Sequence, residues 1–358
     1  AGEPDFETPS HIGEAACAAI QAGKTKYTAV DGTKSLKDAI IHKFKRDNDL
    51  TFKETEIIVS SGGKQSLYNA CQALVDEKDE VIVPAPFWAS FPDMIKLAGG
   101  SPIIVQTGLE SGFRITPKKL VDSITSKTRA IIINSPCNPS GTAYTRCDWE
   151  GLAEVLAKHP NIYIIADDIY EHIYWGTEKY SNVLTACPEL RDRTILVNGV
   201  SKSYAMTGWR IGYSAAPEPI IKAMTIIQSQ STTNACSISQ AAAEAALMGP
   251  QNIVREMCDA FKERHDYVVN RFNSLNGFKC RPCEGTFYAF PNIDDALNRL
   301  HFKDDMEFCE KLLEKQGVAI VPGVAFGSPG HIRLSFAASL PTLKKAIDRI
   351  ENFINKIN

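Results

Sequence analysis

The sequence of 358 residues lacks long apolar runs and one-sided charge. No stretch approaches the about eighteen apolar residues that a membrane-spanning helix needs, although 44% of the residues are hydrophobic. The 39 Lys and Arg residues are mixed with 42 Asp and Glu residues, which leaves a net charge of −3 and no basic stripe. We therefore expect neither a membrane nor nucleic acid as a partner.

Metal-ligand patterns are also scarce. Of ten cysteines only Cys280 and Cys283 form a close pair, and the seven histidines form no ligand pattern, so that His172 and His331 are interpreted as structural or peripheral. No metal is expected, and scattered thiols are typical of reduced cysteines in a cytoplasmic protein. Because the sequence starts without an initiator methionine, we expect a segment to precede it, and a removed targeting peptide is one alternative.

Short, continuously apolar runs are present, and most are rich in β-branched residues. They occur at residues 57–60, 81–83, 103–105, 130–133, 162–166, 194–197 and 211–215. Such runs are typical of strands that are buried on both faces of a sheet. Between these runs, apolar residues recur every three or four positions, as in a helix, for example at residues 64–75 and 149–158. The pattern predicts an α/β fold with a mostly parallel seven-stranded sheet.

The pattern changes after about residue 220. Long helical patterns at residues 237–247 and 252–275 precede strand candidates at 285–290, 318–322 and 331–336, and a helix at 343–354 closes the chain. This order predicts a second, smaller α+β domain. We expect the large domain at residues 13–268 and the small domain at residues 1–12 and 269–358.

Lys202 and Arg210 form the most informative pair. Lys202 follows an apolar run and Arg210 lies eight positions later. A desolvated lysine loses its proton more easily and becomes nucleophilic, and the N–H fork of an arginine can bind a doubly charged phosphate. The pair suggests a lysine in Schiff-base linkage to a phosphorylated aldehyde, pyridoxal phosphate. The alternative is a surface lysine on a strand-to-helix turn.

Polar segments follow four other apolar runs, and the carboxyl ends of strands are where open α/β sheets bind ligands. The glycines in Ser61-Gly62-Gly63 can bring backbone N–H groups to a phosphate at the start of a helix, or form a plain turn. Asp167 costs free energy unless it faces a cation such as a protonated pyridine nitrogen. Its alternative is a helix N-cap.

Four further side chains are weaker candidates. Tyr170 and Asn138 could donate hydrogen bonds to a ring oxygen, or be ordinary polar loop residues. Trp88 could stack on a ring, or belong to the core. Arg333, in an alternating strand pattern, suits bidentate capture of a carboxylate. The alternative is a solvated arginine on an edge strand.

With these motifs, the sequence resembles the class I aminotransferases, pyridoxal-phosphate enzymes of fold type I. The motifs stand in the order that the family has: AGEPDF, GKTKY, SGGKQSLYNA, PAPFWASFP, NSPCNPSGTAY, DDIYEHI, SKSYAMTGWRIGY and HIRLSFA. Within the family, the sequence is most similar to bacterial-type aspartate aminotransferases and their aspartate/prephenate relatives. Asp168 stands where a glutamate is usual, and Cys137, Ser140 and Ser203-Tyr204 also depart from the common pattern. These departures bear on fine specificity rather than on chemistry.

The resemblance implies roles for residues that would hold the cofactor. Lys202 would be the Schiff-base lysine and proton shuttle, with Asp167 on the pyridine nitrogen and Asn138 and Tyr170 on the ring oxygen. Others would contact the ring and phosphate: Trp88 over the ring, and Arg210 with the backbone of Gly63 and Lys64 on the phosphate. Tyr27 matches a tyrosine that reaches the phosphate of the neighbouring subunit, which implies a homodimer with shared active sites.

The resemblance also implies small amino-acid and 2-oxo-acid substrates. Arg333 and the N–H of Gly2 would bind the substrate α-carboxylate, and Trp88 and Asn138 would line the substrate site. Lys64 would face the distal carboxylate of a dicarboxylic substrate, unless it is an exposed lysine in the first turn of a helix. The expected reaction moves the amino group of aspartate to 2-oxoglutarate by a ping-pong mechanism, which gives oxaloacetate and glutamate.

Other activities remain as alternatives. The nearest is an aminotransferase for prephenate, arogenate or aromatic substrates. A pyridoxal-phosphate lyase acting at the β- or γ-carbon has the same fold and would release ammonia or a thiol without a keto acid. A cofactor-binding regulatory module is a non-enzymatic alternative, and it would require a basic helix-turn-helix segment upstream.

Overall fold

The larger sheet of the protein has seven strands in the order β1-β7-β6-β5-β4-β2-β3, within the residues 2–356 that the computed structural model describes. The strands are β1 (Ile57–Ser60), β2 (Glu80–Ala85), β3 (Ser101–Gln106), β4 (Thr128–Asn134), β5 (Tyr163–Asp167), β6 (Thr194–Gly199) and β7 (Gly212–Ala215). Neighbours from β3 to β6 pair in parallel, and β7 runs antiparallel to both β6 and β1. The prediction of a mostly parallel seven-stranded sheet is confirmed.

Helices cover the sheet and explain why its strands are apolar on both faces. The helices are α1 (Ser10–Gln21), α2 (Lys34–Asn48), α3 (Gly63–Leu74), α4 (Ser90–Leu97), α5 (Pro117–Ser123), α6 (Arg146–Leu156), α7 (Val183–Ala186), α8 (Glu218–Ser231), α9 (Ser237–Met248), α10 (Asn252–Ser274), α11 (Asp294–Arg299), α12 (Asp305–Gln316) and α13 (Leu340–Lys356). Alternate residues of one strand belong to different hydrophobic clusters: Ile57 and Val59 pack in one, and Ile58 packs in the other. Both faces of the sheet are therefore buried at β1. The edge strand β3 differs from the prediction, because Ser101, Ile104 and Gln106 are exposed where no further strand or helix of the described chain covers them.

The helix predicted at residues 64–75 is α3, which begins at Gly63 and ends at Leu74. Its predicted apolar face is the buried one, because Leu67, Ala70, Cys71 and Leu74 all lie in the core. Spacing of three and four residues places these side chains on one side of the helix. The helix thus starts directly behind the end of β1, with its first turn at the carboxyl edge of the sheet.

The smaller sheet is antiparallel, in the order β8-β10-β9, with β8 (Tyr288–Ala289), β9 (Val321–Pro322) and β10 (Ile332–Ser335). The strand predicted at 285–290 is shorter than expected because Thr286 has φ 69°, in the left-handed region that a strand cannot use. The strand predicted at 318–322 is also shorter, since it pairs with β10 only at Val321 and Pro322. β10 is the central strand.

A third hydrophobic cluster belongs to the smaller sheet and to α10, α12 and α13. Helix α10 contributes to two clusters: Val254 packs with the larger sheet, whereas Phe261, Val268 and Phe272 pack with the smaller one. The helix passes residue 268 without a break. The domain limits at residues 12 and 268 stay a prediction, and their outer ends at residues 1 and 357–358 lie outside the described residues.

All ten cysteines are unpaired in the described chain, and seven of them are buried. Burial raises the pKa of the Cys280 and Cys283 thiols, so this close pair is chemically quiet. Within residues 2–356 no helix combines the length and the apolar character needed to cross a bilayer.

Candidate active site

A cleft of about 320 Å³ lies where the carboxyl ends of β1, β2, β4, β5 and β6 meet the smaller sheet. Ten of the eleven predicted site residues line it: Gly2, Gly63, Lys64, Trp88, Asn138, Asp167, Tyr170, Lys202, Arg210 and Arg333. Tyr27 does not line the cleft, and the residue is 90% exposed. The convergence of the five segments follows from parallel strands, whose carboxyl ends share one edge of the sheet.

Lys202 lies in the turn that follows β6, and it is not a surface lysine. Its Nζ atom donates a hydrogen bond to the backbone oxygen of Gly2. Burial lowers the pKa of the Lys202 amine to about 8, and the nearby Arg210 guanidinium adds to this effect. A lowered pKa increases the fraction of free amine at neutral pH, which is the form that attacks an aldehyde or takes up a proton.

Asp167 is the last residue of β5 and is 5% exposed. Its Oδ1 atom accepts a hydrogen bond of 3.3 Å from the N–H of Ile169, within a turn rather than at a helix start. The N-cap alternative is therefore wrong. Burial raises the pKa of the Asp167 carboxyl to about 7, although Ile169 and Lys202 oppose this shift. A cation placed against this carboxylate would be strongly favoured.

The raised pKa predicts that Asp167 destabilises the cofactor-free protein. The folded state binds the Asp167 proton more tightly than the unfolded state, so this contribution is fully present below pH 3.8 and is lost as the pH rises through 7. Asp167→Asn cannot ionise. We expect it to raise the free energy of unfolding at pH 8 by about 2–4 kcal/mol and to change it little at pH 4, measured by urea unfolding.

The control for this prediction is Asp93→Asn, because the Asp93 side chain is 75% exposed. We expect its effect to be small and equal at both pH values. Equal effects of Asp167→Asn at pH 4 and pH 8 would contradict the electrostatic explanation.

A cradle for an anion lies at the start of α3. Gly62, with φ 90°, precedes the helix and offers no side chain to cap its first N–H groups, and the first two residues of the helix, Gly63 and Lys64, line the cleft. An added Cβ at Gly62 would collide with the Arg210 guanidinium, and one at Gly212 would collide with the backbone of Gly63. The glycines therefore allow an arginine and a helix N-terminus to approach each other, an arrangement that binds phosphate groups.

The charges that line the cleft are unbalanced. Lys64, Lys202, Arg210 and Arg333 face one carboxylate, Asp167, among the described lining residues. None of the four cations lies within 4.0 Å of a carboxylate oxygen in residues 2–356. Unpaired cations in a confined cleft create a positive potential. The cleft is thus built for a ligand, or a pair of ligands, with several negative charges.

Asn134 lines the cleft but was not predicted from the sequence. Its Nδ2 atom donates to the backbone oxygen of Asp167 at 2.8 Å, and its Oδ1 atom accepts from the N–H of Asn138 at 2.7 Å. Asn134 therefore fixes the ends of β4 and β5 and orients Asn138. Asn134 directly follows the apolar run at residues 130–133, and this position could have indicated a site residue. The sequence prediction names only Asn138 from the same segment.

Trp88 and Lys64 lie together at one side of the cleft. The Lys64 Nζ atom is 4.7 Å from the centroid of the Trp88 ring, and that ring meets Phe91 edge to face at 5.5 Å. Trp88 is partly exposed to the cleft rather than enclosed in the core. Lys64 is in the first turn of α3 and is exposed, as the alternative described, and it also lines the cleft.

Arg333 reaches the cleft from β10, so the alternative of a solvated arginine on an edge strand is wrong. Its Nη1 atom donates a hydrogen bond of 2.9 Å to Oδ1 of Asn138. Its buried Nε atom has no hydrogen-bond partner within the described chain. The guanidinium therefore keeps N–H groups available for a carboxylate.

A buried charged cluster lies behind the Tyr170 turn. Lys43 of α2 pairs with Glu171, and both side chains are almost fully buried. His172 bonds Asp47 at 2.9 Å and Ser203 at 3.3 Å, the latter being the residue after the cleft lysine. The cluster ties α2 to the turns that carry two predicted catalytic side chains. His172 is structural here, as expected.

The N-terminal arm, residues 2–9, crosses from the turn after β6 to α10. Thr8 Oγ1 donates to the Ala205 oxygen at 2.7 Å, and Asp5 pairs with Arg264 at 2.6 Å. Phe6 packs edge to face on Phe261 at 5.3 Å. The arm therefore holds Gly2 over the cleft, where its carbonyl oxygen meets the Lys202 amine.

Comparison with known proteins identifies the family. The sequence model described as "Aminotransferase class I and II" matches residues 1–350. The chain belongs to the class I and II aminotransferases. Among curated relatives of this aminotransferase, an aspartate/prephenate aminotransferase of Nitrosomonas europaea is 51% identical, over 99% of this chain and 91% of the relative. An aspartate aminotransferase of Bacillus subtilis is 47% identical, over 99% and 90%.

Solved structures agree with this family assignment. The aspartate aminotransferase of Rhizobium meliloti superposes with a TM-score of 0.95 at 45% identity and covers 99% of this chain and 90% of that structure. The Thermus thermophilus aspartate aminotransferase with maleate gives a TM-score of 0.92 at 40% identity, over 98% and 90%. The aminotransferase therefore has the fold-type I architecture that the sequence predicted.

Proposed function

We propose that this aminotransferase uses pyridoxal 5'-phosphate, held in the cleft. Three observations fit the group: a helix N-terminus beside Arg210 for the phosphate, a buried carboxylate at Asp167 for the pyridine nitrogen, and a partly buried amine of lowered pKa at Lys202 for the aldehyde. When bound, pyridoxal phosphate supplies an aldehyde that condenses with amines and a ring that accepts an electron pair. The pairing of Lys202 with Asp167 in one cationic cleft carries the proposal.

The residues of the chain would position the substrate and move its protons. Lys202, with its lowered pKa, takes the proton from the substrate α-carbon and returns a proton during the reaction. Asp167 would stabilise positive charge at the ring nitrogen of the bound cofactor, and Tyr170 and Asn138 would hydrogen-bond its ring oxygen. Arg333 orients the substrate through its α-carboxylate, with Gly2 beside it. Because amino donor and keto-acid acceptor use one site in turn, ping-pong kinetics are expected.

We infer that the substrates are aspartate and 2-oxoglutarate, giving oxaloacetate and glutamate. Both substrates carry two carboxylates. With Arg210 assigned to the phosphate and Lys202 to the aldehyde, the cleft has two further cations, Arg333 and Lys64. Lys64 stands over Trp88 and would meet the distal carboxylate. The names of the relatives in Nitrosomonas europaea and Bacillus subtilis support this substrate class.

Lys64→Ala tests the distal carboxylate site. We expect KM for aspartate and 2-oxoglutarate to rise by about 10–100-fold, because a charge-assisted hydrogen bond is lost, while KM for phenylalanine changes by less than about threefold. Steady-state kinetics with each substrate measure this difference. Lys96→Ala, which removes a lysine of α4 with a 64% exposed side chain, is the control and should leave all constants unchanged. An unaltered dicarboxylate preference in Lys64→Ala would contradict the role of Lys64.

Prephenate is the second candidate substrate, and the 51% identical relative from Nitrosomonas europaea favours it because its name includes prephenate. A prephenate side chain combines a ring with a carboxylate, which matches Trp88 next to Lys64. Turnover of aspartate, prephenate and phenylalanine by the wild-type enzyme distinguishes the two functions. Release of ammonia or a thiol without a keto acid would instead identify a lyase.

We also propose a homodimer with shared active sites, which Tyr27 supports. The residue is 90% exposed in the single chain, and Ile20 on α1 is 53% exposed. Such aromatic and aliphatic surface would be covered by a second copy, and Tyr27 would then reach the phosphate of that copy. Sedimentation of the wild-type protein and the kinetics of Tyr27→Ala test this proposal. The cytoplasmic location stays a prediction.

A further inference from the structure

Tyr288 lines the cleft but has no role in the proposed function so far. It lies on β8, opposite Ser335 of the strand that carries Arg333, and only 1% of the residue is exposed. Its hydroxyl oxygen is 3.2 Å from the hydroxyl oxygen of Tyr170. The Arg333 guanidinium lies over its ring, 4.5 Å from the ring centroid. Tyr288 therefore touches Tyr170, which is predicted to bind the cofactor, and Arg333, which is predicted to bind the substrate.

The direction of the Tyr288–Tyr170 hydrogen bond depends on the charge around the two phenols. Either hydroxyl could donate by geometry. Burial raises the pKa of both phenols, and the Arg333 guanidinium opposes that rise at both. The guanidinium lies over the Tyr288 ring, 4.5 Å from its centroid, where it draws electron density from the Tyr288 hydroxyl. This placement favours Tyr288 as the donor and the oxygen of Tyr170 as the acceptor.

The consequence concerns the single proton of Tyr170. A tyrosine hydroxyl has one proton to donate. If the oxygen of Tyr170 accepts from Tyr288, its own proton is free to point into the cleft, and hydrogen bonds in such a chain strengthen one another. The N-terminal arm closes the other side, since an added Cβ at Gly2 would lie 2.9 Å from the Tyr288 hydroxyl oxygen.

We propose that Tyr288 is a positioning residue that links the Arg333 carboxylate site to Tyr170 and directs the Tyr170 proton toward the ring oxygen of the cofactor. This inference rests on the proposed function. Donation to the ring oxygen lowers the pKa of the link between Lys202 and the cofactor, because it stabilises the negative charge that remains when that link is unprotonated. Loss of the Tyr288 hydroxyl weakens this donation.

The test is a pH titration of the visible absorbance of the holoenzyme. In Tyr288→Phe the ring stays beneath Arg333 but the donor is lost, so we expect the midpoint to rise by roughly 0.5 pH unit, while KM for aspartate changes by less than about threefold. In Tyr288→Leu the ring is lost as well. KM for aspartate and for phenylalanine should then rise together, by roughly fivefold, because both substrates carry the α-carboxylate that Arg333 would bind.

Tyr170→Phe provides the matched background. It should raise the midpoint by at least as much as Tyr288→Phe, and adding Tyr288→Phe to it should cause no further shift, as expected for two groups that act through one hydrogen bond. Absence of a shift in Tyr288→Phe, or an equal shift in the Tyr170→Phe background, overturns the inference alone. A wild-type protein that shows no pH-dependent absorbance with pyridoxal phosphate overturns the proposed function and this inference together.

Discussion

Lys202→Ala is expected to lower kcat for transamination by about 10⁴-fold, because the variant loses the amine that we propose moves the substrate α-proton. The visible absorbance that arises when the lysine joins the cofactor aldehyde should disappear as well. The lowered pKa of Lys202, about 8, and its place in the cationic cleft are the reasons for this expectation. Steady-state kinetics and an absorbance spectrum of the loaded protein measure the two effects.

The control for Lys202→Ala is Lys222→Ala, on the outside of α8 with a 70% exposed side chain, which should be fully active. Added ammonia or methylamine should partly restore the proton transfer of Lys202→Ala, because a small amine can occupy the space of the lost side chain. Rescue would show that the variant is folded and lacks only its base. An active Lys202→Ala variant without added amine would contradict the assignment.

Asp167→Asn is expected to lower kcat and kcat/KM together, by about 10³-fold, because the amide cannot stabilise a positive charge at the ring nitrogen during the reaction. The substitution keeps the shape of the side chain and its turn at Ile169. Kinetics with aspartate and 2-oxoglutarate measure the loss. If Asp167→Asn is inactive and also more stable than the wild type at pH 8, the Asp167 carboxylate serves the function and lowers the stability of the protein.

Asp168→Asn is the matched control, since it changes the adjacent residue in the same way. Both oxygens of Asp168 are buried without a hydrogen-bond partner in the described chain, and burial raises its pKa well above the ordinary value. Asp168 is not among the residues that line the cleft, so its amide should keep activity within about threefold. Equal losses at positions 167 and 168 would mean that the Asp167 effect is structural.

The strand ends could be predicted from the sequence because the spacing of apolar residues and the order of the apolar runs indicate where the strands lie. Apolar runs identified the strands, and the polar residues after them, such as Asp167 and Lys202, share an edge by the geometry of parallel strands. The start of α3 was placed to within one residue because glycine precedes its apolar face. The strand ends and the start of α3 could be predicted because they depend on the residues next to them in the sequence.

Tyr288 was missed for a physical reason. Its segment reads as a strand of the smaller sheet, and nothing in the local pattern tells which larger-sheet residue its hydroxyl meets. The contact with Tyr170 joins residues 118 positions apart. The short strands of the smaller sheet were also predicted too long, because the left-handed backbone at Thr286 leaves no mark in the hydropathy pattern. Such contacts depend on how the two sheets pack.

The excess of cations over Asp167 bears on how the protein is handled in solution. A cofactor-free cleft with a helix N-terminus beside Arg210 attracts small anions from the buffer. Inorganic phosphate or sulfate in a purification would occupy the same cradle as the cofactor phosphate, and loading would then proceed by exchange of one anion for another. Large zwitterionic buffers would not compete for the cradle, so the apparent affinity of the cleft for the cofactor should depend on the buffer salt.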